Sequence, residues 1–153
     1  NSAIKAVTRL IDIGVPKDVL AGNIIGVLGQ RLVRRLCTYC REPYAPNAIE
    51  RRLLGLEQEV AKVTIYRHKG CTYCEQQGYK GRQALLEALR IDEELDDLIS
   101  EGVSLRALEK AARESGFYSL ADDGARAVLD GRTSLEEVSR VVDLTQRIQR
   151  RSR

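Results

Sequence analysis

Two Cys-x-x-Cys steps constrain this chain more than any other feature. Cys37-Thr38-Tyr39-Cys40 is followed, after a spacer from Arg41 to Gly70, by Cys71-Thr72-Tyr73-Cys74, and these are all the cysteines it has. A two-residue gap lets both thiolates of a step turn onto one ion, and two such knuckles supply the four sulfurs that tetrahedral zinc prefers. The reading is one closed, structural Zn2+ site with Cys37, Cys40, Cys71 and Cys74 as its ligands. Four sulfurs leave no position for a reactive water, so the metal is expected to hold the fold together and to catalyse nothing.

Other uses of the four cysteines fit less well. Two disulfides belong to an exported domain, whereas the chain shows nothing like a signal peptide and has the composition of a cytosolic one. A redox pair needs one Cys-x-x-Cys, and this chain has two identical steps. The spacer is longer than a zinc ribbon's, so something folded is expected between the knuckles. His68 lies close enough to the second step to replace a sulfur, but with four sulfurs at hand it reads as a surface residue.

Charge narrows the function classes. There are 25 Lys and Arg against 22 Asp and Glu, and Arg147, Arg150, Arg151 and Arg153 crowd the end of the chain. The remainder is nearly neutral, which argues against a nucleic-acid surface spread over one face. The arginine tail reads as a solvated end; its sharper use would be anionic lipid or a partner protein. No apolar run reaches the roughly 20 residues of a membrane span. The chain starts at Asn1 and holds no methionine, so further sequence is expected upstream.

In order, Asn1-Ser2 reads as a helix N-cap, and Ile4, Val7, Leu10 and Ile11 follow at helical spacing up to Gly14. Pro16 suits the first turn of a second helix, with Leu20, Ile24, Val27 and Leu28 as its stripe and Gly22, Gly26 and Gly29 as small residues for close helix packing. These glycines lack the Gly-Lys-Ser/Thr ending of a phosphate loop, so no nucleotide-binding residue is expected. From Gln30 to Cys37 a strand delivers the first knuckle, with Leu32 and Leu36 on one side, Val33 on the other, and Arg31, Arg34 and Arg35 marking a solvated edge.

Asn47 caps a short helix carrying Ile49, Leu53, Leu54 and Leu56, and Val63 to Tyr66 reads as a strand into the second knuckle. Gly78 to Arg82 reads as a turn-rich exit. Gln83 to Ile91 stays open: its Ala, Leu and Glu content favours helix, while Leu85, Glu87, Leu89 and Ile91 alternate with Ala84, Leu86 and Ala88 as in a strand. Four helices follow, with Asp92, Ser104, Ser119 and Thr133 as expected caps and Gly102, Gly116 and Gly131 as stops. Leu135, Val138, Val141 and Val142 form the last apolar face, and no catalytic constellation is evident.

Four segments, in order, resemble the bacterial ATPases that power type II secretion and type IV pilus assembly, the type II secretion system protein E family. Asn1-Ser2-Ala3 with Ala6 to Leu10 resembles the continuation of that family's His-Thr-Asn-Ser-Ala box. Gln30 to Cys37 is similar to the entry into its tetracysteine element, and Cys71 to Cys74 with Gly78 to Arg82 to the exit. Thr133 to Val138 resembles its closing motif.

The resemblance implies a helix-rich α/β chain, the C-terminal part of a RecA-like ATPase domain with an inserted tetracysteine zinc subdomain and a C-terminal helical subdomain. Residues 1–36 would belong to the ATPase core, 37–78 to the zinc insert, 79–91 to a returning core strand, 92–149 to the helical subdomain and 150–153 to a basic tail. Gln30–Leu36 and Gln83–Ile91 would be paired strands. In the intact protein it implies ATP and Mg2+, a homo-hexamer, an inner-membrane platform protein as partner, and a cytoplasmic position peripheral to the inner membrane. The phosphate-binding loop, the acidic metal-binding segments and the box histidine would all precede Asn1. No catalytic residue is therefore carried over, and this chain alone is expected not to hydrolyse ATP. The reading from another class is a stand-alone zinc-ribbon module that binds nucleic acid, which would need basic residues and aromatics together near the knuckles.

Overall fold

The computed structural model describes residues 2–56, 62–145, 147 and 148; the expected basic tail at 150–153 lies outside them. The helices are α1 (Ala3–Asp12), α2 (Lys17–Leu20), α3 (Ala48–Leu53), α4 (Glu93–Glu101), α5 (Leu105–Glu114), α6 (Leu120–Leu129) and α7 (Leu135–Val141). The strands are β1 (Gly26–Leu36), β2 (Glu42–Tyr44), β3 (Ile65–Arg67) and β4 (Tyr79–Arg90), and the chain is mixed α/β. β1 pairs with β4, and β2 pairs antiparallel with β3, Tyr44 opposite Ile65. Backbone bonds set Ile91 against Ile25 and Cys37 against Gly78, so β1 and β4 also run antiparallel. The chain divides into two compact units, 1–30 with 86–120 and 31–85 with 121–153.

In the first unit, the Ser2 hydroxyl accepts from the Lys5 N–H and starts α1, and Asp92 and Ser104 cap α4 and α5 as their positions predict. α1 packs on α5, α5 on α4 and α4 on α2. Val7, Leu20, Leu89, Leu95, Ile99, Leu108 and Ala112 fill the core between them. The apolar stripe expected for α1 thus supplies its buried Ile4 and Val7, and α4 and α5 bury Leu95, Ile99, Leu108 and Ala112 in the same core.

The second helix is shorter than its pattern suggests. α2 ends at Leu20, Gly22 turns the chain at φ +77°, and Val27 and Leu28 lie in β1. Helical spacing misleads here because β1 is set by pairing with the distant β4. Gly26 and Gly29 serve that strand contact and not helix packing: a Cβ at Gly26 would lie 3.0 Å from the Leu89 carbonyl oxygen, and one at Gly29 2.6 Å from a Glu87 carboxylate oxygen.

The same pairing settles Gln83 to Arg90 as strand, with Ile91 just beyond its end. Leu85, Glu87 and Leu89 are buried while Leu86 and Ala88 face out. Tyr79 to Arg82, a turn by their own pattern though within the returning strand that the resemblance implies, already belong to β4.

In the second unit, Asn47 caps α3 with a full capping box, accepting from the Ile49 and Glu50 N–H groups while Glu50 accepts from the Asn47 N–H. Ile65 starts β3 and is fully buried, so the predicted strand begins two residues late. Beyond Val33, β1 bonds to the turn before α7: the Leu36 N–H donates to the Arg132 carbonyl, and the Thr133 hydroxyl to the Arg34 carbonyl. This changes the strand's phase, so Val33 and Leu36 are buried and Leu32, expected with Leu36, is exposed. It also moves the cap of α7. Thr133 is engaged with β1, and Ser134 accepts from the Glu137 N–H in its place. Arg147 is not a solvated tail residue, because its guanidinium donates to Asp122 and to the Leu54 carbonyl.

Candidate metal centre

The first knuckle continues directly from β1 and the second precedes β4. The Cys37 N–H donates to the Gly78 carbonyl at 3.0 Å, so the last residue before β4 and the first cysteine share a backbone bond. β2 and β3 close the intervening segment into a small antiparallel pair between the knuckles. The described residues of the spacer are therefore folded, as its length predicts.

All four Sγ atoms lie within 4.8 Å of one another. Cys37 and Cys71 sulfurs are 3.9 Å apart, Cys40 and Cys74 3.8 Å, and Cys71 and Cys74 3.7 Å. A disulfide would need about 2.05 Å. A tetrahedron whose vertices stand about 2.3 Å from its centre, the zinc–thiolate length, has edges of about 3.8 Å. The arrangement could hold a metal ion, and the donor set and spacing fit one that prefers four thiolates.

Backbone N–H groups point at the sulfurs. Gly70 donates to Cys40 Sγ at 3.4 Å, and Gly78 and Cys71 donate to Cys74 Sγ at 3.1 and 3.3 Å. Such bonds favour the thiolate, the form that ligates metal. At Cys74 burial works against ionisation, but N–H donation from Cys71 and Gly78, together with hydrogen bonds from the Cys71 and Cys40 thiols, outweighs it and pulls the thiol below its usual range. At Cys40 burial dominates and pushes the thiol up.

The second knuckle is held by an uncommon turn. After the short 3-10 turn Thr72–Cys74, Glu75 and Gln76 both take left-handed φ, at 54° and 63°. Two consecutive non-glycine residues there cost roughly 1–3 kcal/mol each. The turn brings the Gly78 N–H back onto Cys74. Gly78 has φ +74°, and a Cβ there would come within 2.7 Å of His68 Cβ.

His68 stands apart from the sulfurs. Its ring stacks on Tyr79 at 5.1 Å, with Nδ1 3.2 Å from the Tyr79 hydroxyl and 3.6 Å from a Glu136 oxygen. The Tyr79 hydroxyl also pairs with Ser134 at 2.7 Å, and the Arg34 guanidinium lies 4.2 Å over its ring. Arg34 is thus tied down and not part of a free solvated edge.

Sequence reasoning passed over two acidic groups. Glu137 binds Arg34, and Glu87, 3% exposed, accepts from the Ala3 N–H at 2.5 Å and the Leu120 N–H at 3.1 Å, the first residues of α1 and α6. Its signal was there: Glu87 occupies the buried phase of an alternating strand, where a carboxylate needs donors.

A helix-rich α/β chain with a four-cysteine centre that could hold a metal defines a narrow class, and comparison with known proteins narrows it further. Residues 1–140 match the family described as type II/IV secretion system protein. The type II secretion system protein E of Pseudomonas aeruginosa is 45% identical over 92% of this chain and 28% of its own length. The type II secretion system ATPase E of Vibrio cholerae is 41% identical over 92% of this chain and 28% of its own. The type IV pilus assembly ATPase PilB of Thermus thermophilus is 41% identical over 90% of this chain and 16% of its own. The chain belongs to the type II/IV secretion system protein family, and it spans less than a third of the length of these relatives. Among the described residues no helix is long and apolar enough to cross a membrane.

Proposed function

We propose that this chain is the C-terminal part of the RecA-like ATPase domain of a secretion or pilus-assembly motor, with a structural Zn2+ held by Cys37, Cys40, Cys71 and Cys74. The observation that carries the reading is the sulfur cluster, four Sγ atoms within 4.8 Å of one another and three of their pairs at 3.7 to 3.9 Å, in a chain of this family. Zinc would supply a cross-link and no reaction. The protein's own groups do the rest: Gly70, Cys71 and Gly78 N–H groups orient and charge-balance the sulfurs, and the Cys37–Gly78 bond fixes both knuckles to the paired strands.

In this reading residues 1–36 and 79–91 are core, 37–78 the metal insert and 92–149 the helical subdomain. The intact motor uses ATP and Mg2+, assembles as a homo-hexamer at the cytoplasmic face of the inner membrane, and acts on a platform protein there. The residues that bind and cleave ATP lie outside this chain, so alone it is inactive. The names of the relatives support the motor reading.

The test uses the full-length protein. Cys71→Ser should remove stoichiometric zinc and abolish secretion or pilus assembly in cells while the protein is still made. Normal assembly by that variant, or nucleotide-dependent phosphate release by the 153-residue chain alone, would contradict the proposal.

A further inference from the structure

The two knuckles repeat one sequence, and the repeat places their tyrosines together at the surface. Tyr39 is 75% exposed and Tyr73 50% exposed, with ring centroids 4.4 Å apart and planes tilted by 53°. Lys80 lies with its ammonium 4.1 Å from the Tyr73 ring centre, donates to the Tyr73 carbonyl at 2.9 Å, and makes no ion pair among the described residues. Neither tyrosine is one of the four sulfur donors. Two exposed rings side by side with an unpaired cation form the amphipathic surface that interfaces favour.

The local charge states what such a surface fits. Segments 34–42 and 67–82, which carry the knuckles, contain seven Lys and Arg against two Glu. They stay positive after Glu137 is set against Arg34 and after a tetrathiolate zinc adds two net negative charges. The small net charge of the whole chain, +3, conceals this basic end. Stacked nucleic-acid bases would suit it less: the rings offer no parallel planes, and Lys80 already covers one face of Tyr73.

We infer that Tyr39, Tyr73 and Lys80 form a docking site for an acidic protein segment, with an apolar or aromatic side chain seated on the two rings and a carboxylate on Lys80. The inference deepens the motor reading by naming the chemistry of a partner at its metal insert. It rests on that reading for the partner's presence.

The test places p-benzoylphenylalanine at Tyr39 of the full-length motor, in cells that carry the rest of its machine, and irradiates. Thr38, exposed beside it, gives a second probe position. Tyr118, 43% exposed in the other unit, is the control. The expected result is a cross-link to a protein segment, identified by peptide sequencing, that carries excess Asp and Glu. Lys80→Glu should lower its yield about tenfold and Lys80→Arg should preserve it, because reversing one close charge pair typically costs at least one decade in affinity. Yield no higher than at Tyr118, cross-links to nucleic acid, lipid or non-acidic segments, or indifference to Lys80→Glu would overturn the inference. Zinc content is measured on each protein. Its absence from the unsubstituted motor would count against the metal reading, whereas a zinc-loaded motor with no acidic cross-link would count against this one alone.

Discussion

Arg34 and Glu137 meet through three bonds. The Arg34 backbone N–H reaches Oε1 at 3.0 Å, and its Nε and Nη2 reach Oε2 at 3.0 and 2.6 Å. One residue comes from the knuckle-bearing half of β1 and the other from the first turn of α7, so the pair anchors that helix beside the strand that leads into the metal centre. The Glu137 side chain is 7% exposed and that of Arg34 40%, so solvent screens the pair on one side only.

Acid should act through this pair. Hydrogen bonds from the Arg34 side chain hold the Glu137 carboxyl below its ordinary range, against the opposing effect of burial and with help from the Arg34 backbone N–H. A carboxylate depressed in the folded state adds stability that is fully present above its unfolded value of about 4.3 and lost as pH falls through the folded value. Glu137→Gln should therefore flatten the loss of denaturant resistance below about pH 4.3. At pH 7 it should cost about 1–3 kcal/mol, a range kept low because Arg34 is partly exposed. Equal steepness of the two pH profiles by urea titration would contradict the assignment.

Glu87 carries a different load. It supplies the acceptors for the Ala3 and Leu120 N–H groups, and Gly29 passes against its carboxylate. Glu87→Ala leaves two buried donors unpaired and should destabilise by about 2–5 kcal/mol. Gly29→Ala pushes a methyl group into the carboxylate and should cost about 1–3 kcal/mol. If both variants melt within a degree of the parent chain, Glu87 does not hold the two helix starts.

The second knuckle should be sensitive to a single methyl group. Gly78→Ala sets a Cβ where His68 and Lys69 already stand, at a φ that L-residues rarely adopt, and it displaces an N–H bonded to Cys74. Competition with a chromophoric chelator should show at least tenfold weaker metal retention, the range expected when a group supporting a metal ligand is lost. Unchanged retention would mean that the Gly78 N–H does not support the site.

Much of this could be read from residues because the signals were local. The spacing of the two Cys-x-x-Cys steps leads one to expect four sulfurs drawn together, which is how the Sγ atoms lie, and Asp92, Ser104 and Asn47 cap the helices they precede. What failed was decided by distant partners. Leu20, Ile24, Val27 and Leu28 fit a helical period, yet the start of β1 is fixed by β4, whose sequence lies beyond both knuckles. Thr133 and Ser134 are equal as caps, and only the Arg34 carbonyl tells them apart. The four-sulfur reading brings the two knuckles together, but only the fold shows that Tyr39 and Tyr73 turn their rings onto one another outside the sulfurs.

The central claim is that four thiolates hold one zinc. The direct measurement is the metal content of the purified chain together with its zinc K-edge absorption. The expected result is one zinc per chain, surrounded by four sulfurs at about 2.3 Å and by no nitrogen. Substoichiometric metal in a folded chain, a nitrogen in the shell from His68, or sulfurs joined at about 2.05 Å as disulfides would contradict it.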